Sequence, residues 1–220
     1  MITFHEVSKY YDTNTALRDV SLKIDKGEMA FITGPSGAGK STLLKLIYAA
    51  ERPDSGKVTV GEWESDRLRE SDIPILRRNI GIVFQDFRLL YNMNVYDNVA
   101  LSMRVRKIHE KEIKSAVLDA LKLVNLRHKV EAMPSALSGG EQQRVVIARA
   151  VVGEPFILLA DEPTGNLDPD TATGIMRVFR EINAKGTTIL VATHNRELFR
   201  STGLRVLRLD NGSIVDETRG

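Results

Sequence analysis

Eight consecutive residues, Gly34-Pro-Ser-Gly-Ala-Gly-Lys-Ser41, constrain the fold of this chain more than any other stretch. They fit the pattern GxxxxGK(S/T), whose main-chain N–H groups wrap the α- and β-phosphates of a nucleotide. In that pattern the lysine reaches the β- and γ-phosphates and the hydroxyl residue holds Mg2+. Such a loop belongs between a strand and a helix. Residues 28–33 read as a buried strand, and residues 41–50 as a helix whose positive end faces the anion. Lys40 then supplies a point charge to the phosphates, and Ser41 is the first candidate metal ligand.

The rest of the chain repeats the strand–helix order. Apolar residues alternate over residues 2–7 and again at Val20, Leu22 and Ile24, as in half-buried strands. A turn at residues 53–56 precedes a strand over 57–60, and a short apolar strand over 80–84 ends at Gln85. From residue 94 to about 133 helical spacing takes over, with Ile113, Val117, Ala120, Leu121 and Val124 on one face. Residues 156–160 and 187–192 are continuous apolar runs of the kind buried in a parallel sheet. The helix between them carries Ile175, Val178, Phe179 and Ile182 at core spacing, with Gly186 placed to cap it. Strands over 205–210 and 213–217 flank Asn211-Gly212, a strong signal for a type I′ hairpin. The order predicts an α/β fold with a helical insertion.

Composition narrows the partners. Thirty-one basic and 29 acidic residues leave a net charge of +2, which gives no general attraction to nucleic acid. The densest basic cluster, Arg104, Arg106, Lys107, Lys111 and Lys114, reads first as a solvated helix face, with anionic lipid or an acidic partner as the alternative. With no cysteine, neither a disulfide framework nor a thiolate metal site is available. The first residues lack a basic stretch followed by an apolar one, so no export signal is expected. No apolar run approaches the roughly 20 residues that span a bilayer, so in a membrane process another chain must supply the spans.

Leu137-Ser-Gly-Gly-Glu-Gln142, ahead of Ile157-Leu-Leu-Ala-Asp-Glu162, is a much narrower signal than the phosphate loop. With both segments the chain resembles the ATP-binding subunits of ABC systems. The resemblance implies a P-loop NTPase of the ABC ATPase type: a RecA-like core, an N-terminal antiparallel β subdomain and an inserted α-helical signature subdomain. It implies one domain over residues 1–220, with about 1–85 and 157–220 as core and β subdomain and about 86–156 as the helical part. ATP and Mg2+ are the implied ligands.

The resemblance also implies roles residue by residue. Gly34, Pro35, Ser36, Gly37, Ala38, Gly39, Lys40, Ser41 and Thr42 match the phosphate loop, and Tyr11 matches the aromatic that stacks on adenine, with Tyr10 as a neighbouring alternative. Ser41, Gln85 and Asp161 match the groups around Mg2+. Glu162 matches the residue that polarises the attacking water, Gln85 also meets that water, and His194 matches the switch histidine at the γ-phosphate. Ser138, Gly139, Gly140 and Glu141 begin a helix whose exposed N–H groups can receive a γ-phosphate. In the resembling family they complete the site of the opposite subunit, so a homodimer holding two ATPs is implied. Asp168 matches the loop that crosses between protomers, although a helix N-cap explains it equally well.

Further stretches narrow the subgroup: Pro74-Ile-Leu-Arg-Arg78, Val83-Phe-Gln-Asp-Phe-Arg-Leu-Leu90, Val95-Tyr-Asp-Asn-Val-Ala100 and Ala160-Asp-Glu-Pro-Thr-Gly-Asn-Leu-Asp168. They are similar to the ABC ATPases of bacterial cell division, with those of lipoprotein release and macrolide efflux as near relatives. The segments Ile47-Tyr-Ala-Ala50 and Gly61-Glu-Trp63 depart from the usual pattern, away from the catalytic motifs. A soluble ABC module acting on nucleic acid is the competing class; such chains usually carry a long coiled-coil insertion or two nucleotide domains, and neither is present. The resemblance therefore implies an integral membrane partner, no nucleic acid, and a peripheral position on the cytoplasmic face of the bacterial inner membrane, at the division septum. Phe87, Leu89, Leu90 and Tyr96 read either as subdomain core or as a docking surface for that partner.

Overall fold

Strands with no polar face are stable only where both sides of their sheet are covered. The computed structural model, which describes Met1–Gly220, puts the three most apolar strands in that situation. In chain order the elements are β1 (Ile2–Tyr11), β2 (Asn14–Ile24), β3 (Met29–Thr33), α1 (Lys40–Ile47), β4 (Ser55–Val60), β5 (Trp63–Glu64), α2 (Ile73–Arg78) and β6 (Ile80–Val83). There follow α3 (Val95–Val105), α4 (Glu110–Leu123), α5 (Gly139–Val151), β7 (Ile157–Asp161), α6 (Pro169–Ala184), β8 (Thr188–Ala192), β9 (Arg205–Asp210) and β10 (Ser213–Arg219).

Two sheets result. The larger has the order β10-β9-β3-β8-β7-β6, parallel from β9 to β6 with β10 antiparallel at one edge. The smaller, β2-β1-β4-β5, is antiparallel. Successive residues of a strand point to opposite faces, and the core divides accordingly. Met29, Phe31, Leu158, Ala160, Ile189 and Val191 face α3, α4, α5 and α6. Ala30, Ile32, Ile157, Leu159, Leu190 and Ala192 face α1 and the smaller sheet. Fully burying a large apolar side chain is worth about 1.5–3 kcal/mol, so both layers are strongly held to the central sheet.

This topology positions the site. Parallel strands that lie side by side send their following loops out at one edge, where ligands bind in open α/β sheets. Ile32 pairs with Ala192, Asp161 with Ala192, and Val83 with Ala160. That register lines up the phosphate loop after β3, the turn after β8, the end of β7 and the glutamine after β6.

The differences from the sequence reading have local causes. β1 and β2 run farther than the alternation suggests, because bulges interrupt it: the register shifts between Phe4 and Val7, and Glu6 and Asp19 have φ of 48° and 46°. The helix expected over 41–50 ends at Ile47, where Ala49 turns left-handed at φ 53° and the Ala50 N–H donates to the Lys45 carbonyl. The short α2 was not legible in the sequence. Asn211 and Gly212 both have positive φ, 46° and 79°, as a type I′ turn requires. In the insertion, fully buried Asn98 pins the loop leading into α3. Its Oδ1 accepts from the Leu90 N–H at 2.8 Å, and its Nδ2 donates to the carbonyls of Leu90, Met93 and Asn94. Leu89 is buried, and Phe87 and Tyr96 pack against the same core, so only Leu90 of that expected quartet is exposed. No helix is long and apolar enough to cross a membrane.

Candidate active site

The phosphate loop closes on itself before α1 starts. The Ala38 N–H donates to the Pro35 carbonyl, and the Ala38 carbonyl accepts from the Gly212 N–H at the hairpin turn. Gly39 precedes the helix with φ 104°, and a side chain there would run into the Ala16 carbonyl, so no other residue fits. No side chain caps the N-terminus of α1 and no acid stands in its first turn, which leaves its N–H groups and positive dipole end open to an anion. Lys40 is buried; its ammonium donates to the carbonyls of Gly34 at 2.8 Å and Pro35 at 2.9 Å.

Two carboxylates face that ammonium from the end of β7. Burial pushes the Asp161 carboxyl above its ordinary range, an effect offset in part by the Ser41 hydroxyl beside it. Glu162 follows with φ 46°, a left-handed turn that redirects its side chain. Its Oε1 accepts from the His194 N–H at 3.1 Å and lies 2.9 Å from His194 Nδ1 and 3.9 Å from Lys40 Nζ. Its Oε2 accepts from the Thr193 hydroxyl at 3.2 Å, and that hydroxyl in turn accepts from the Asn195 N–H at 3.1 Å. Thr193 is itself buried. The sequence reading passed over it, though its place between a buried strand and His194 was a usable signal.

Pro35, Ser36, Gly37, Gly39, Lys40, Ser41, Thr42, Gln85, Asp161, Glu162 and His194 line one cleft of about 480 Å³, together with Ala16. Gly34 and Ala38 do not line the cleft, and Ala38 is buried. Tyr11 stands outside the cleft at the end of β1, half-exposed, with Thr42 and Glu51 beside its hydroxyl and the Lys9 ammonium 5.5 Å from its ring. Thr42 beside its hydroxyl makes Tyr11 a neighbour of the phosphate loop, while the Tyr10 backbone N–H donates to Asp54 at 2.7 Å.

The remaining candidates lie elsewhere. Ser138 caps α5 in a reciprocal capping box: its hydroxyl accepts from the Glu141 N–H at 3.3 Å, and Glu141 accepts from the Ser138 N–H at 2.9 Å. That bond is the main cause holding the Glu141 carboxyl below its usual range. Ser138 and Gly139 are exposed. Asp168 is the N-cap of α6, accepting from the Thr171 N–H at 2.9 Å, and it too is exposed. None of Ser138, Gly139, Gly140, Glu141 and Asp168 borders the phosphate cleft of its own chain.

The family model described as ABC transporter matches residues 17–165. The cell division ATP-binding protein FtsE of Streptococcus pneumoniae is 47% identical over 222 residues, covering 100% of this chain and 96% of the relative. The protein of the same name from Mycobacterium tuberculosis is 50% identical over 223 residues, covering 100% and 97%. That of Escherichia coli K12 is 49% identical over 215 residues, covering 97% of each. Among solved structures, the ATP-binding cassette MJ0796, in a dimeric post-hydrolysis state bound to ADP and Pi, superposes with a TM-score of 0.90 at 34% identity, covering 100% of this chain and 98% of that one. CbiO1 from Clostridium perfringens, part of the ABC transporter complex cbiONQ, gives 0.90 at 32% identity, covering 99% and 88%. On the family match, the near full-length relatives and the shared architecture, the chain belongs to the ABC transporter family and has the fold of its ATP-binding cassettes.

Proposed function

We propose that the chain is the ATP-binding and hydrolysing subunit of a membrane ABC complex of the cell-division type. In this reading it closes as a homodimer on ATP and acts on an integral membrane partner of the FtsX type, so as to regulate septal cell-wall hydrolysis. The observation that carries the proposal is a division of labour. The phosphate loop, two carboxylates, a glutamine and a histidine share one cleft, while a second helix start stands exposed outside it.

The chain's own residues suggest how the reaction proceeds. The open N–H groups of α1 and the loop hold the phosphates, and Lys40 turns from its two loop carbonyls to the β/γ-phosphates. Hard oxygen donors, the Ser41 hydroxyl, the Gln85 amide oxygen and the Asp161 carboxylate, border the cleft and suit Mg2+, which takes few protein ligands when phosphates complete its shell. Bound there, Mg2+ supplies positive charge against the phosphates. Glu162 polarises the attacking water once its carboxylate leaves the Thr193 hydroxyl and the His194 N–H, and His194 remains to meet the γ-phosphate. The Gly139 and Gly140 N–H groups have no partner within the chain, which supports their use by the γ-phosphate bound to a second copy.

The near full-length identity to FtsE proteins supports the cell-division assignment over lipoprotein release or macrolide efflux. A location at the cytoplasmic face of the membrane, at the septum, follows from attachment to that partner. The test is to purify the tagged chain from solubilised membranes and identify the integral protein that accompanies it, with Mg2+-dependent phosphate release measured on the complex. A partner of the cell-division type supports the proposal; a lipoprotein-release or efflux permease, or no membrane protein at all, overturns it.

A further inference from the structure

Thr193 is the first residue after β8 and follows Leu190, Val191 and Ala192, all fully buried. Valine has nearly its shape and would suit so apolar a run, so the hydroxyl is what distinguishes threonine here. A buried polar group costs free energy unless it is hydrogen-bonded, and this one has two specific partners. The Asn195 N–H donates to the hydroxyl oxygen at 3.1 Å, and the single hydroxyl proton goes to Glu162 Oε2 at 3.2 Å. The β-branched side chain is stiff about χ1. The Asn195 side chain in turn accepts from the Glu197 N–H at 3.0 Å, so the turn that aims the proton is itself held.

The main chain fixes both partners to the central sheet. The Thr193 N–H donates to the Ile32 carbonyl of β3 at 2.9 Å. The Glu162 N–H donates to the Ala192 carbonyl of β8 at 2.8 Å, continuing the pairing of Asp161 with Ala192. To leave the hydroxyl, the Glu162 carboxylate must therefore rotate about its own side-chain bonds. Its partners do not respond alike to nucleotide. Lys40 Nζ at 3.9 Å and the His194 ring at 2.9 Å are the groups that the phosphates of ATP claim in the proposed reaction. The Thr193 hydroxyl and the His194 N–H at 3.1 Å are not, and nucleotide binding offers them no other acceptor.

We propose that Thr193 is a positioning residue: its hydroxyl holds the Glu162 carboxylate turned away from the attacking water, so that an ATP-loaded chain on its own hydrolyses slowly. The inference deepens the proposed function and rests on its assignment of Glu162 as the general base. Hydrogen bonds to an ionised acceptor are the strong ones. A tenfold bias toward the held carboxylate needs only about 1.4 kcal/mol, which one such bond can supply. Hydrolysis is thereby withheld until closure on a second copy moves the carboxylate.

Phosphate release by the full chain without its membrane partner, measured over a range of Mg-ATP, tests this on Thr193→Val, Thr193→Cys and Thr193→Ser. Valine keeps the shape and loses the donor, the cysteine thiol donates weakly, and serine keeps the hydroxyl. The expected result is a kcat about tenfold above wild type for Thr193→Val, a smaller rise for Thr193→Cys and wild-type turnover for Thr193→Ser. KM for ATP should stay unchanged in all three, and the rise should vanish when Glu162→Gln is added. If Thr193→Val does not fold by circular dichroism, the cysteine and serine variants carry the comparison. A fall in kcat on losing the hydroxyl would make Thr193 a support of the active arrangement and overturn the inference. So would turnover unchanged in the valine and cysteine variants, or a rise that persists with Glu162→Gln; each of these leaves the proposed function standing. If the unmodified chain, alone or with its membrane partner, shows no Glu162-dependent phosphate release, the proposed function fails and this inference with it.

Discussion

Replacing Glu162 by glutamine separates chemistry from binding and from folding. The side chain is 11% exposed, and its two oxygens engage the Thr193 hydroxyl, the His194 N–H and the His194 ring. Glutamine has the same shape; its amide oxygen can keep the acceptor role toward His194, and its NH2 can donate to the Thr193 hydroxyl. Lys40, 3.9 Å from the lost charge, still holds two loop carbonyls, so neither group is stranded and the fold should lose no more than about 2 kcal/mol. What disappears is the proton acceptor. Losing a general base commonly costs about 10²–10⁴ in rate, or about 2.7–5.5 kcal/mol of barrier. Phosphate release at saturating ATP should fall by that factor, while titration with a fluorescent ATP analogue shows affinity retained. Turnover within about tenfold of wild type would remove Glu162 from this role. A parallel loss of affinity and turnover would make it a binding residue.

Two further substitutions probe the scaffold and the metal end of the cleft. Asn98→Leu deletes four hydrogen bonds from a fully buried side chain and strands the Leu90 N–H, so urea unfolding should report a loss of about 2–4 kcal/mol; a loss below about 1 kcal/mol would mean that the loop is held otherwise. Because the folded chain raises the Asp161 pKa above the ordinary 3.8, it keeps a proton that the unfolded chain has lost, and stability falls as pH rises from 3.8 through the raised value. Asp161→Asn should abolish that fall, so nucleotide-free melting curves agree in acid while the variant melts higher at neutral pH; a wild-type advantage at neutral pH contradicts the sign.

How far the sequence could be read depended on whether local pattern or long-range pairing decides a feature. β3, β7 and β8 lie within a residue of the expected strands, because an unbroken apolar run between turns has few other uses in a buried parallel sheet. The hairpin at Asn211-Gly212 was equally legible, since it needs only two residues that accept positive φ. The bulges of β1 were not, because Glu6 becomes left-handed only to serve β2 and β4 together. Asn98 carried a faint signal: it shares the buried face of α3 with Val95, Val99 and Met103, where a polar side chain must find partners. In the cleft, the phosphate-loop motif and Asp161-Glu162 stood out by pattern, whereas the joining of Gln85 and His194 to them depends on the strand order β3-β8-β7-β6, which no single segment encodes.

The central claim is that one chain holds ATP and a second copy completes the site through Ser138, Gly139 and Gly140. Light scattering of Glu162→Gln with and without ATP, repeated with Ser138→Arg added, tests it most directly. Ser138 is exposed at the start of α5 and away from the chain's own cleft, so arginine there should leave ATP binding to the monomer intact while blocking the approach of a partner's γ-phosphate. The account predicts a shift from monomer to dimer mass on adding ATP to Glu162→Gln, and no shift in the double variant at equal ATP occupancy. An ATP-induced dimer that survives Ser138→Arg, or no dimer from Glu162→Gln at saturating ATP, would contradict it.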